Sequence, residues 1–217
     1  MNDQQIIDLI EKEFKEKTLG ITEQYLLIHS PIYIDNKLKV DRIDRDTKDG
    51  YTIVYLPVHD EHFYFVVYIN TKTKEVINVG TEAYHRVYFR ATSEKLSADD
   101  LKAMTNLAPT ELWNKGDLRK SKKSNHTFSS FVILPNPEPD EFEHKLKKLL
   151  DFLEQDKAGI RRLVDNAYGY IQVAMDIHNA NGIIGGPSID TDNIKRMNDL
   201  KLSINFDLYV SGNSFKE

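Results

Sequence analysis

Tyr168-Gly169-Tyr170-Ile171-Gln172-Val173-Ala174-Met175-Asp176-Ile177-His178 alternates almost without fault. Ile171, Val173, Met175 and Ile177 fall on one side of an extended chain, and Tyr170, Gln172, Ala174, Asp176 and His178 on the other. The last strand repeats the pattern: Leu202, Ile204, Phe206, Leu208 and Val210 oppose Ser203, Asn205, Asp207 and Tyr209. Strands with one apolar and one polar side belong to a sheet that is covered on one face and open on the other.

Helices fill the intervals between the strands. Before Tyr168, the residues Phe142, Leu146, Leu149, Leu150 and Leu153 mark the buried stripe of a helix, with Lys145, Lys147, Lys148 and Glu154 on its wet side. Gly159 is expected to break that helix, and Ile160, Leu163 and Val164 begin a second piece. Pro137 and Pro139 preset the start of the helix that carries Phe142. Thr127–Leu134 and Tyr84–Ala91 are further strands. Between them Ser97 caps a short helix with Asp100 three residues on, and Pro109 stops it. Asp192 is expected to cap a helix at Asn193–Lys201. The order βαβαβαβ over residues 84–217 predicts a two-layer α/β sandwich, with its helices on one face of a four-stranded sheet.

Residues 1–80 read differently. Ile6, Ile7, Ile10 and Phe14 recur at helical spacing, and Gly20 is expected to end that helix. Extended segments follow at Tyr25–His29, Ile32–Ile34, Lys37–Ile43, Tyr51–Leu56, Phe63–Ile69 and Glu75–Val79, with a turn signal at Asp49-Gly50. One helix against a four- or five-stranded antiparallel meander is a cystatin-like outline. Gly80–Ala83 is the expected joint to the second domain. The fold class predicted for the whole chain is α+β.

Composition narrows the function. Hydrophobic residues are 40% and charged residues 29% of 217, ordinary for a soluble globular chain. No apolar run reaches the ~18 residues of a membrane span, and residues 1–5 lack the basic start of a signal peptide. With no cysteine, thiol catalysis and Cys-ligated zinc are excluded, and a reducing cytoplasm is the expected compartment. Residues 1–85 carry 10 Lys and Arg against 15 Asp and Glu, and the remainder carries 19 of each. A general nucleic-acid binder would show a basic excess, so nucleic acid is an unexpected partner.

Four groups of residues invite a functional reading, each beside a plainer one. Trp113, Lys115 and Asp117 sit in a stretch, Pro109 to about Asn125, that reads as a loop. The only Trp of the chain beside two charges can grip a partner; more simply, Trp113 plugs the core edge and Gly116-Asp117 turns the chain. Arg119, Lys120, Lys122, Lys123 and His126 follow as a basic loop that can hold phosphate or an acidic partner, or merely stay solvated. The polar sheet face would gather Arg86, Tyr88, Arg90, Gln172, Asp176, His178, Asn205, Asp207 and Tyr209. Asp176, His178 and a hydroxyl such as Tyr209 or Ser129 can be drawn as an acid–base set, although no local signature assembles one. His59-Asp60-Glu61-His62 can be drawn as a metal site, but a polar hairpin turn is the simpler account; no cofactor is expected. Gly182–Ser188 lies between a strand and a helix, yet it matches neither GxxxxGK[ST] nor GxGxxG.

The series Pro109-Thr110…Trp113…Lys115-Gly116-Asp117, set between a strand and helix before it and a Ser/Phe strand and Leu-rich helix after it, resembles the bacterial family called domain of unknown function 4279. So does the closing Leu202-x-Ile204-x-Phe206-Asp207-Leu208-Tyr209-Val210. The resemblance spans about Tyr84 to Gly212. Phe128 stands where that family is expected to carry a Trp. The resemblance implies a fold and a bacterial origin and no established activity; some such families act as immunity proteins beside toxins. The reading favoured is a non-catalytic cytoplasmic protein that binds a protein partner, with a small-molecule or metal-binding enzyme and a nucleic-acid binder using the basic loop as the alternatives.

Overall fold

The computed structural model describes residues 1–45, 47, 50–179 and 186–215. The protein is of the α+β class and divides into two compact units. The first contains Met1–Tyr84, Met175–Gly185 and Leu208–Glu217; the second contains His85–Ala174 and Gly186–Asp207.

In the first unit, α1 (Asp3–Glu16) opens with a capping box in which Asn2 and Gln5 satisfy each other's backbone N–H groups. Its stripe of Ile6, Ile10 and Phe14 is buried. Lys17 ends the helix in the left-handed conformation, so Gly20 does not terminate α1 as expected but begins α2 (Gly20–Ile28). The segment around Tyr25, read as extended, is therefore helical. The cause is Glu13, buried at the end of α1, which accepts hydrogen bonds from Leu19 N (3.0 Å), Thr22 Oγ1 (2.7 Å) and the Thr18 hydroxyl and so holds the first turn of α2. Burial works to raise the Glu13 carboxyl, but these bonds outweigh it and keep it below its ordinary value.

β1 (Tyr33–Ile34) and β2 (Lys37–Leu38) form a small hairpin whose two turn residues, Asp35 and Asn36, both have positive φ. The continuous strand expected at Lys37–Ile43 is thus split, its second part being β3 (Arg42–Asp44). β3, β4 (Thr52–Pro57), β5 (Tyr64–Asn70) and β6 (Glu75–Glu82) make the expected antiparallel meander in sequential order. Pairing continues through the expected joint, with Gly80 opposite Val66 and Glu82 opposite Tyr64. One face of the meander packs Val54, Leu56, Phe65 and Val67 on Ile6, Ile10, Phe14 and Tyr25; the other carries Tyr55, Tyr64 and Val66. Asp49 of the turn signal lies outside the described residues.

In the second unit, β7 (Tyr84–Ser93) leads to α3 (Ala98–Lys102), capped by Ser97 and Asp100. A short strand not expected from the sequence, β8 (Glu111–Trp113), follows and pairs with β9 (Ser129–Ile133). Then come α4 (Phe142–Leu153), a single 3₁₀ turn at Glu154–Asp156, α5 (Lys157–Asn166), β10 (Tyr168–His178), α6 (Thr191–Asp199) and β11 (Ser203–Ser211). The sheet runs β11-β10-β7-β9-β8, so the order differs from βαβαβαβ by one inserted strand. Four residues at the end of β10, and four at the end of β11, are grouped with the first unit.

Four local expectations are corrected. The break between α4 and α5 falls at Glu154–Asp156, and Gly159 lies inside α5. There Asp156 caps Gly159 N at 2.9 Å, and a Cβ on Gly159 would sit 2.1 Å from Asp156 Oδ2. Asp190, not Asp192, caps α6. Lys145, assigned to the wet side of α4, is 1% exposed because its Nζ closes the Pro-rich turn, donating to the carbonyls of Asn136 (3.0 Å) and Glu138 (2.6 Å). Finally, β11 is an edge strand. Leu208 (61%) and Val210 (56%), expected beneath helices, are exposed, as are Asp207 and Tyr209. Of the Gly182–Ser188 stretch, residues 182–185 lie outside the described residues.

Candidate functional site

Residues directly opposed across antiparallel strands share a face. Arg90 opposes Val132, which opposes Glu111; Thr92 opposes Ser130, which opposes Trp113. Stepping by two adds Arg86 and Tyr88 on β7 and Phe128 just before β9. The other face carries Phe89, Ala91, Phe131 and Ile133, all fully buried with Leu146 and Leu149 among the core residues.

The polar face is roofed by its own long side chains. Val132 and Ser130 lie at 1% and 0% exposure beneath them. The guanidinium carbon of Arg90 stands 5.1 Å from the Trp113 ring centroid and 5.1 Å from that of Phe128, within the range of cation–π attraction. Arg90 Nε donates to Ser130 Oγ at 3.1 Å, which fixes the plane of the guanidinium. Arg86 lies 4.9 Å over Tyr88 and reaches Glu111 at 3.3 Å, and Lys120 approaches the same carboxylate at 3.7 Å. Burial holds the Tyr88 hydroxyl above its ordinary value while Arg90 and Arg86 pull it down. His126 stacks on Trp113 at 4.7 Å, and Trp113 Nε1 is buried without an acceptor among the described residues.

The stretch after Trp113 is a turn closed on itself rather than a loose loop. Gly116, at φ 93, donates to His126 O at 2.8 Å; His126 N donates to Asp117 O at 2.8 Å; Arg119 N donates to Ser124 O at 3.0 Å. Asp117 accepts from Asn114 N at 2.7 Å, so its role here is to shape the turn. Lys115 lies 3.8 Å from Glu94. Thr110, Glu111, Trp113, Leu118, Lys120 and His126 line an open depression of about 480 Å³. The structure therefore brings together Arg86, Tyr88, Arg90, Trp113, Lys120 and His126 from the sequence candidates, with Lys115, Asp117 and Arg119 along the adjoining turn, and adds Phe128. Arg90 was legible by alternation; Phe128 is the residue that departs from the expected Trp, and an aromatic ring stands there all the same.

Asp176, His178, Tyr209, His59 and His62 belong to the first unit. His178 is not on an open face: it is 1% exposed. Its Nε2 lies 2.9 Å from His29 Nε2 and 3.1 Å from Asn213 O, while Asn213 N donates to His29 Nε2 at 3.1 Å. His29 Nε2 thus accepts, and the proton between the rings sits on His178 Nε2; His178 Nδ1 is buried without a partner among the described residues. Phe63 packs 4.6 Å from His178, and Gly212, at φ +85, passes so close that a Cβ would meet the His178 ring at 2.7 Å. Burial drives both imidazoles below their ordinary value, His29 also repels a charge on His178, and Glu61 pulls both upward. His178 is thereby committed to His29 and Asn213 rather than to Asp176, Ser129 or Tyr209, and the drawn acid–base set does not form. Burial raises the Asp176 carboxyl and His62 lowers it; Tyr209 is exposed. His29 was missed because it lies 149 positions away in a segment read as a strand. His59 pairs with Asp60 at 3.0 Å. Among the described residues no three His, Asp or Glu side chains are placed to hold a metal, and no helix is long and apolar enough to cross a membrane.

An α+β protein with a helix-backed sheet, its polar strand face roofed by arginines and rings, is the class that fold and site define. The family described as domain of unknown function (DUF4279) matches residues 82–211, and the chain belongs to that family. No curated protein and no solved structure matches it.

Proposed function

We propose that the chain is a non-catalytic protein-binding module of the cytoplasm, and that its contact surface is the strand face of the second unit around Arg90 and Trp113. The observation that carries this reading is Arg90 itself. It lies 5.1 Å from the centroids of two rings and is anchored through Nε, while its two Nη groups have no acceptor among the described residues. Arg and Trp at the centre of a patch, with exposed Leu118 and a rim of Lys115, Lys120 and Arg119, is the composition of a protein hot spot. Neutralising a toxin by covering its surface, as immunity proteins do, is the first concrete form this reading takes.

The test is affinity isolation from the source cells with the wild-type chain and with Arg90→Ala/Trp113→Ala, both checked for an unchanged cooperative melt. A partner retained by the wild type and lost from the double variant is the expected result. Equal retention by both proteins refutes the surface assignment.

A further inference from the structure

We infer that the group received by Arg90 is the carboxylate of an acidic side chain on the partner protein; this rests on the binding reading above and names its chemistry. The cations around the site exceed the acids. Between residues 111 and 126 there are five Lys and Arg (Lys115, Arg119, Lys120, Lys122, Lys123) against Glu111 and Asp117, and Arg86 and Arg90 stand beside them. A guanidinium whose Nε is already used presents a planar pair of Nη donors, which matches the two oxygens of a carboxylate. The same layer already holds one arginine–carboxylate contact, Arg86 Nη2 with Glu111 Oε1 at 3.3 Å. Arg90 lies in that layer with no carboxylate on its Nη groups among the described residues.

Two features favour a carboxylate over phosphate or nucleic acid. Glu111 and Asp117 remain beside the depression, so a singly charged group is repelled less than a doubly charged one. The Trp113 ring is already engaged by Arg90 and His126, which takes away the stacking platform that single-stranded nucleic acid uses.

Trp113 is the only Trp of the chain, so its fluorescence reports this site alone. Titration with a deca-glutamate peptide at low salt should give a saturable fluorescence change, and deca-glutamine should give none. Arg90→Lys should weaken the peptide at least ten-fold, because an ammonium loses the two-pronged contact, whereas Lys122→Ala/Lys123→Ala should weaken it less than three-fold. Glu111→Gln should tighten it at least two-fold, which keeps the idea testable if Arg90→Lys fails to fold. A change that ignores Arg90, no change at all, or displacement of the peptide by inorganic phosphate at equal concentration overturns the inference. If the peptide fails while partner capture still depends on Arg90 and Trp113, the carboxylate assignment falls and the binding module stands; if capture is insensitive to both residues, the module reading falls separately.

Discussion

Stability of the first unit should drop as pH falls from 7.5 to 5.5, through the buried pair His29 and His178. Both imidazoles are held below the ordinary histidine value of 6.5, first by burial. In that window the unfolded chain takes up protons and the folded chain resists them, so stability rises with pH and is lost as pH falls below 6.5. At pH 5.5 an unfolded histidine gains about 1.4 kcal/mol from protonation. Two that stay neutral in the fold lose up to about 2.7 kcal/mol between them. The resistance has a geometric origin: a proton added to His29 Nε2 would face Asn213 N–H at 3.1 Å and the His178 Nε2 proton at 2.9 Å. The facing carboxylate is Glu61, which acts against the effect. Asp176, raised by burial, acts oppositely from 3.8 upward, and His85, depressed by burial, bears on the second unit. Both are common to wild type and variant and cancel. The assay is urea unfolding at several pH values for wild type and His178→Gln. The variant should cost about 1–2 kcal/mol at pH 7.5 and lose roughly half of the pair's dependence on pH. Curves that run parallel from 7.5 to 5.5 would refute the neutral, proton-sharing pair.

Two further outcomes follow from packing. Lys145→Met leaves the Asn136 and Glu138 carbonyls without their shared donor inside the fold, and denaturant unfolding should register a loss of about 2–4 kcal/mol. Leu208→Ala, at a side chain 61% exposed, should cost under about 1 kcal/mol by the same measurement, against the 2–5 kcal/mol of a core leucine; a larger loss would mean that the residue is covered in solution.

Much of the fold was legible because its strands carry a strict period. Tyr51–Leu56 and Phe63–Ile69 gave β4 and β5 to within a residue or two, since their β-branched and aromatic runs lie between turn residues and one face packs on a helix. The errors came where a distant side chain decided the matter. Nothing local in Gly20–Ile28 announces a helix rich in Tyr, Leu and Ile; the buried Glu13 carboxylate does so by taking Leu19 N and Thr22 Oγ1. Likewise Lys145 reads as a solvated lysine at helical spacing, whereas the carbonyls of Asn136 and Glu138 draw it inward.

Period-2 alternation tells which residues share a face, but it does not tell whether water reaches that face. β10 and β11 have nearly the same pattern. On β10 both sets are largely buried, including Tyr170, Gln172 and His178; on β11, at the sheet edge, neither set is. An inner strand has neighbours on both sides whose long side chains can lie across it, and an edge strand lacks half of them. The same reasoning explains why the candidate site was half seen. Arg86, Tyr88 and Arg90 were correctly placed together by parity, but parity treats them as residues standing in water. Their lengths are what matter: each is long enough to reach a neighbouring strand, so that Arg90 ends within 5.1 Å of the Trp113 ring on one strand and of the Phe128 ring at the start of another. A polar strand face of short side chains would be a wet sheet. This one, built of arginines and rings, brings the Arg90 guanidinium within cation–π reach of two rings, and the proposed binding surface rests on that preorganisation.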